Sequence, residues 1–158
     1  MEKLNRQALK TLRESVFPTF PAHIQAAFPT IKDENGDPQP NIVIGSIQEL
    51  GASPAFPLIT VDSEGAPESI VGCYIQARMS LDFWVSSQQG SNMDGRRFVS
   101  ILQQYAFKIF NAGNWSGNGI MIETCFEIER SKMLFEPTNK VHHIATVYRV
   151  AAVSQDWY

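Results

Sequence analysis

Apolar and polar residues trade places most regularly between residues 79 and 86. Met79, Leu81, Phe83 and Val85 alternate with Ser80, Asp82, Trp84 and Ser86. A period of two sends the first set to one face of a strand and the second to the other. The spacing predicts a long β segment over residues 69–87, bent near Ala77, with one face in the core and one solvated or at an interface. Residues 119–130 alternate as well. Ile120, Ile122, Thr124, Phe126 and Ile128 read as the inner set, and Met121, Glu123, Cys125, Glu127 and Glu129 as the outer set. A last strand is expected over 143–154, with Ile144, Thr146, Tyr148, Val150 and Ala152 opposed to His143, Ala145, Val147 and Arg149. Shorter apolar runs predict strands over 41–48 and 57–62, the second followed by a turn over 63–67.

A period near 3.6 appears twice. Over residues 2–16, Leu4, Leu9, Leu12 and Val16 fall near one stripe with Ala8 beside them, while Lys3, Arg6, Lys10 and Arg13 face away. This helix must stop near Phe17, because Pro18 and Pro21 follow. Over residues 92–111, Phe98, Ile101, Leu102, Tyr105 and Ile109 repeat at helical spacing, with Arg96, Arg97, Gln103, Gln104 and Lys108 outside. Ser91 is the expected N-cap, Asp94 favours the positive end of the dipole, and Gly113 is placed to end the helix in a left-handed conformation.

Between these patterns lies an irregular stretch, residues 18–57, which holds seven of the nine prolines. Proline fixes φ and removes an amide donor, so an extended, loop-rich segment is expected, with a turn at Asp33, Glu34, Asn35, Gly36 and Asp37. The strands over 119–130 and 143–154 have no helix between them and should pair antiparallel. The expected fold class is α+β: an antiparallel β-sheet with two α-helices packed on one face, plus the extended proline-rich segment. One domain is expected over 1–158, divided into a helix (1–17), the proline-rich segment (18–57), the sheet and main helix (58–154) and a tail (155–158).

Composition adjusts this picture modestly. The 158 residues suit a single core. Apolar residues reach 44% and charged residues only 18%, against a usual ~25% charged. That argues against disorder, and it leaves surface to be covered by polar groups, glycine or a partner. The net charge is −3 with 13 Lys and Arg spread along the chain, which disfavours a general nucleic-acid binder. Cys73 and Cys125 both fall in strand-like runs and are expected as buried thiols, with a disulfide as the alternative. The first residues are polar and form no leader pattern, and no apolar run approaches the ~18 residues that a membrane span needs. Asn114, Trp115 and Ser116 match a glycosylation sequon, which without secretion is chance.

Candidate chemistry fails on position. Asp33, Asn35 and Asp37 open like a calcium loop, but Pro38 stands where that loop needs glycine and Ile44 where it needs glutamate. His142 and His143, adjacent on a strand, point to opposite faces and cannot easily share a metal. Residues 113–117 hold a serine between glycines, but with the wrong spacing for a nucleophile elbow and before a strand rather than a helix. No catalytic, cofactor-binding or metal residue is assigned, no cofactor is expected, and an enzyme is not expected. Glu123, Glu127 and Glu129, read as one strand face around Cys125, make a candidate acidic row. It could be a solvated face, line a channel or meet a basic partner. A small enzyme or ligand-binding domain built on Glu123, Glu127 and Cys125 is the lesser alternative. Trp84 is a candidate interface residue, as are Trp157 and Tyr158, because Trp and Tyr anchor interfaces. The other reading of Trp84 is packing beneath a loop or helix.

The order of elements carries a resemblance. An amphipathic helix leads to a proline-rich segment holding Pro40, Asn41, Ile42, Val43, Ile44 and Gly45. The strand Met79-Ser80-Leu81-Asp82-Phe83-Trp84-Val85 runs into the helix Gly95-Arg96-Arg97-Phe98-Val99-Ser100-Ile101-Leu102. A long strand follows, then Glu129-Arg130-Ser131-Lys132-Met133-Leu134-Phe135-Glu136-Pro137 and the closing strand Ile144-Ala145-Thr146-Val147-Tyr148-Arg149-Val150. Over residues 40–154 this resembles the tail terminator and tail-completion proteins of long-tailed bacteriophages and related neck proteins. The resemblance implies a virion protein whose copies form a hexameric ring. The ring would cap the tail tube and meet the head connector, and genomic DNA would pass through its lumen. It carries over no catalytic residue. Glu123, Glu127 and Glu129 are then one candidate lumen lining, and the proline-rich segment is a candidate arm toward a neighbouring subunit. A head–tail connector or a tail tube protein of the same particle is the alternative.

Overall fold

A computed structural model of the chain describes residues 2–45, 47, 54–65, 74–87, 94–111, 113–138 and 140–154. In chain order the elements are α1 (Glu2–Thr11), α2 (Ala22–Ala27), β1 (Thr30–Lys32), β2 (Pro38–Pro40), β3 (Ile42–Ile44), β4 (Leu58–Gly65), β5 (Tyr74–Ser86), α3 (Gly95–Phe110), β6 (Ile120–Arg130), β7 (Leu134–Glu136) and β8 (Val141–Ser154).

β5 and β8 are the spine of the main sheet. They pair antiparallel, residue for residue, from Tyr74↔Val153 to Ser86↔Val141, with no break at Ala77. The unbroken register keeps the period-two pattern true along both strands. Met79, Leu81, Phe83 and Val85 are wholly buried beside Tyr148, Val150 and Ala152. Thr146 shares their face. The sheet order is β3-β4-β5-β8-β6, with β7 also on β8. β6 and β7 run along the same side of β8. Between them the Ser131 amide donates to the Ala145 carbonyl at 2.8 Å, and the Ala145 amide donates to Ser131 Oγ at 2.9 Å.

The sheet is not wholly antiparallel, as the sequence pattern had suggested. β3 and β4 pair parallel, Ile42↔Ile59 through Ile44↔Val61. The connection over residues 45–57 is about the dozen residues that a parallel return requires. Asn41, 7% exposed, holds that return by donating to the carbonyls of Ala55 and Pro57 at 2.8 and 3.1 Å. β4 also runs to Gly65, through the start of the expected turn.

Helices cover one face of the sheet, giving a two-layer α+β domain. α1 buries Leu4 and Ala8, and the same stripe continues through Leu12 and Val16. A stripe spaced by fours drifts around an α-helix. Here the helix opens into a π-turn over Leu12–Val16, whose wider turns bring Val16 back into line. At the junction the Thr11 hydroxyl donates to the Gln7 carbonyl at 2.9 Å, the back-bonding that loosens a helix. Leu9, placed on the stripe by the sequence pattern, is only partly buried at its flank.

α3 buries Phe98, Val99, Leu102, Ala106 and Phe110, so the stripe is rotated from the expected one and Gln103 lies inside it, 3% exposed. Its N-cap is Asp94, whose carboxylate accepts the Arg97 amide at 2.8 Å; Ser91 lies outside the described residues. Gly113 does not adopt positive φ. A Cβ there would lie 1.7 Å from the Ile109 carbonyl oxygen, so glycine is required by close approach. Gly95 is similar: its Cβ would meet the His142 ring at 2.6 Å, where α3 starts against β8.

The proline-rich segment folds more than its composition suggested. α2 starts at Pro21, whose carbonyl accepts the Ile24 and Gln25 amides. Phe17, Phe20 and Phe28 pack ring against ring at 5.4–6.0 Å, and Phe20 meets Tyr105 of α3 edge-on at 5.9 Å. Aromatic packing thus overrides the proline signal. β1 and β2 form a separate antiparallel hairpin around the expected turn, with Gly36 at φ 80°.

Candidate assembly surface

β6 departs from its expected alternation, and the departure decides what the outer edge of the domain presents. Its register against β8 shifts between Ile122 and Thr124 and again between Glu127 and Glu129. Each extra residue exchanges the two faces of the strand. Ile120 and Ile122 point to the helices as expected, and then Cys125 and Glu127 take that side in place of Thr124 and Phe126. Cys125 is 1% exposed, whereas Phe126 and Ile128 are 44% and 39% exposed.

The acidic row is therefore dispersed. Glu123 sits exposed at the first bulge. Glu127 is on the helix side, where Arg130 reaches its carboxylate at 2.8 Å. Glu129 is on the opposite face, 3.2 Å from Arg78. The three carboxylates do not share a face, and the lumen lining inferred from their alternation loses its geometric basis. Of the alternative constellation, Cys125 and Glu127 share the helix side, and Glu123, at the first bulge, does not join them. Burial pushes the Cys125 thiol up to about 12, with Trp115 acting in the opposite sense, which keeps it protonated and unreactive at neutral pH. Cys73 lies outside the described residues, and Cys125 is a free thiol.

The sheet face away from the helices carries partly exposed side chains among the described residues. Near one end of the β5–β8 pairing Trp84 and His143, cross-strand partners, stack in parallel with ring centroids 3.6 Å apart. His143 Nε2 lies 2.8 Å from Asp82 Oδ1, and the Ser80 hydroxyl donates to Asp82 Oδ2 at 3.0 Å. Trp84 is thus on the face expected of it, partly exposed and clamped by a neighbour. Ser80 and His143 meet different oxygens of Asp82 and not each other, so the group is no nucleophile–base pair. His142 points to the helix side, with Phe135 at 4.8 Å between ring centroids. The two histidines diverge as expected, and no group of potential metal ligands gathers among the described residues. Asp33 spends its carboxylate inside its own turn, accepting the Asn35 and Asp37 amides at 2.9 Å. No described helix is long and apolar enough to cross a membrane.

Six large hydrophobic side chains stand exposed among the described residues. Five of them, Met121, Phe126, Ile128, Leu134 and Phe135, lie on β6 and β7, and the sixth, Ile44, lies at the far edge of the sheet. The signal for this strip was present at Thr124 and Cys125: a polar residue in the inner set beside an apolar one in the outer set marks a flipped register. Leu134 and Phe135 had no periodic context to place them.

The strip is not an open template for strand addition. On the free side of β6 the Ser116 hydroxyl takes the Ile122 amide at 2.8 Å, and the Asn111 side chain takes the Glu127 amide at 2.9 Å. With the two bulges, these contacts blunt the edge. Its exposed side chains, not its backbone, are what a partner would meet. Trp157 and Tyr158 lie outside the described residues.

No protein-family model and no curated protein matches this sequence. Among solved structures that match by fold is a chain of the "Virion of native gene transfer agent (GTA) particle", with a TM-score of 0.55 at 10% identity, over 94% of this chain and 91% of that one. The helix-covered sheet described above is thus a fold, nearly whole, that a chain in a gene transfer agent virion also adopts.

Proposed function

We propose that this chain is a structural protein of a phage-type virion, a tail terminator whose copies form a ring that caps the tail tube and joins it to the head connector. The observation that carries the reading is the fold shared along 94% of the chain with a chain of a gene transfer agent virion. The tail-terminator resemblance over residues 40–154 supplies the finer role and the six-fold ring. The exposed hydrophobic side chains on β6 and β7 support a chain that works by assembly rather than catalysis, since exposed apolar surface of this kind marks interaction sites. Its partners are then further copies of itself, the tail tube protein and the head connector. DNA passes through the lumen without sequence-specific contact, in keeping with the net charge of −3.

The test is a particle assembled without this chain and viewed by electron microscopy. Overlong tails beside full heads are expected. Normal tails that fail to join heads would make it a connector, and the absence of tubes would make it the tube protein. Intact, infective particles would remove it from the virion altogether.

A further inference from the structure

Two arginines stand directly opposite each other where β5 and β8 pair. Arg78 and Arg149 are cross-strand partners on the face away from the helices. Like charges so placed repel, and each calls for a counter-charge. Arg78 has two at hand: Glu64 is its cross-strand partner on β4, and Glu129 lies 3.2 Å from its guanidinium. Arg149 is exposed and makes no ion pair among the described residues. On its other side stands Phe126, its partner on β6, 44% exposed. Along the same face run Val147, Ala151 and Val153 of β8, each half-buried, and the exposed Met121 of β6, paired with Val153. Nearby, Arg130 is taken by Glu127 at 2.8 Å. That leaves Arg149 and Lys132 as cations without an ion pair among the described residues, against one such acid, Glu123 at the first bulge. The balance around the strip is positive, and Arg149 stands in the middle of its apolar surface.

We propose that this face of β8 and β6 docks a segment of another protein that carries a carboxylate between apolar side chains, the carboxylate on Arg149 and the apolar groups on Phe126 and Met121. An arginine fork meets a carboxylate at two points, which fixes the register of the contact as well as its charge. Phe126 and Met121 select a protein over a phosphate backbone, which has no apolar group to offer them. A copy of this chain is the poorer match. Of its six exposed large hydrophobics among the described residues, only Ile44 lies outside the strip itself. The proposal rests on the virion reading above, in which the partner is another protein of the particle.

The experiment puts a photo-reactive phenylalanine analogue at Phe126 of the full chain, within assembled particles, and maps the cross-link by mass spectrometry. The cross-linked peptide should come from another virion protein and hold an aspartate or glutamate near the point of attachment. That peptide, synthesised and labelled, should bind the purified chain, and Arg149→Glu should weaken the binding at least about tenfold. Changing the peptide's acid to lysine should weaken it likewise, and the two reversals together should restore it to within about threefold. Arg149 is exposed and opposite Arg78, so Arg149→Glu leaves the fold intact, which circular dichroism checks. Cross-links only between copies of this chain, a cross-linked peptide without an acid, binding that Arg149→Glu leaves unchanged, or no cross-link in particles that hold the chain would each overturn the docking proposal and leave the virion reading standing. Particles that lack the chain altogether overturn both.

Discussion

Asp82 Oδ1 sits 2.8 Å from His143 Nε2, across the β5–β8 pairing, and so fixes the imidazole flat against the indole of Trp84 at 3.6 Å. The carboxylate is held in turn by the Ser80 hydroxyl. The cross-strand pair is thereby ordered on the face away from the helices. Removing the ring by His143→Ala should expose Trp84 to water and shift the tryptophan emission to the red. Asp82→Ala, which frees the ring without removing it, should give a smaller shift of the same sign. Each should cost about 1 kcal/mol of stability in chemical denaturation. An unchanged spectrum in both variants would mean that the stack does not shield Trp84.

The flipped register of β6 gives a chemical readout. Cys125 is buried and its thiol is raised to about 12, chiefly by desolvation. In the native protein near pH 8 it should resist an alkylating reagent and react only after denaturation, as peptide mass spectrometry would show. The sign for stability follows. As pH climbs above the ordinary thiol value, the unfolded chain ionises at Cys125 while the folded chain does not, so this group's contribution is full below that value and is lost as pH approaches 12. Rapid native labelling of Cys125 would place it on the outer face and restore the regular alternation.

Much of the fold was legible because β5 and β8 obey one period throughout. Met79 to Val85 and Ile144 to Ala152 fall on the helix side as their alternation implies. β6 was legible only to Ile122, because the first bulged residue inverts the assignments from Thr124 to Glu127 before the second returns Glu129 to the outer face. That inversion removed the acidic row and uncovered Phe126 and Ile128, so the site was misread where the strand departs from its period. The parallel return of β3 to β4 depends on Asn41 bonding to Ala55 and Pro57, a tertiary contact that no local pattern carries. The α2 segment hides for a similar reason. Its phenylalanines pack on one another and on Tyr105, and their spacing among prolines shows no helical period.

Two phenylalanines on adjoining parts of the sheet should respond oppositely to substitution. Phe83 is wholly buried between the sheet and the helices, and Phe126 is 44% exposed on the outer strip. Phe83→Ala should cost about 3–5 kcal/mol in denaturant unfolding, the transfer and cavity terms together. Phe126→Ala should cost less than about 1 kcal/mol, while Phe126→Asp should improve solubility and reduce self-association. A large stability loss at Phe126 would show that the strip is covered within the monomer.

The β1–β2 hairpin should be the acid-sensitive part of the molecule. The Asp37 amide holds the Asp33 carboxyl below its ordinary value, helped by the Gln39 side chain, the Asn35 amide and the charge of Arg13. The ionised carboxylate is the form the turn binds. Its contribution is therefore present above the ordinary carboxylate range, and is lost as pH falls through the lowered folded value. Backbone amides of the hairpin should lose hydrogen-exchange protection on acidification before those of β5 and β8, whose order rests on apolar burial. Asp33→Asn keeps an acceptor for the Asn35 and Asp37 amides but cannot ionise, so protection should persist and its pH dependence should vanish. Asp33→Ala removes the acceptor, and protection should fall at every pH. If Asp33→Asn retains the wild-type pH profile, a different group governs the hairpin, and the Glu34 carboxyl, next in the turn, becomes the one to substitute.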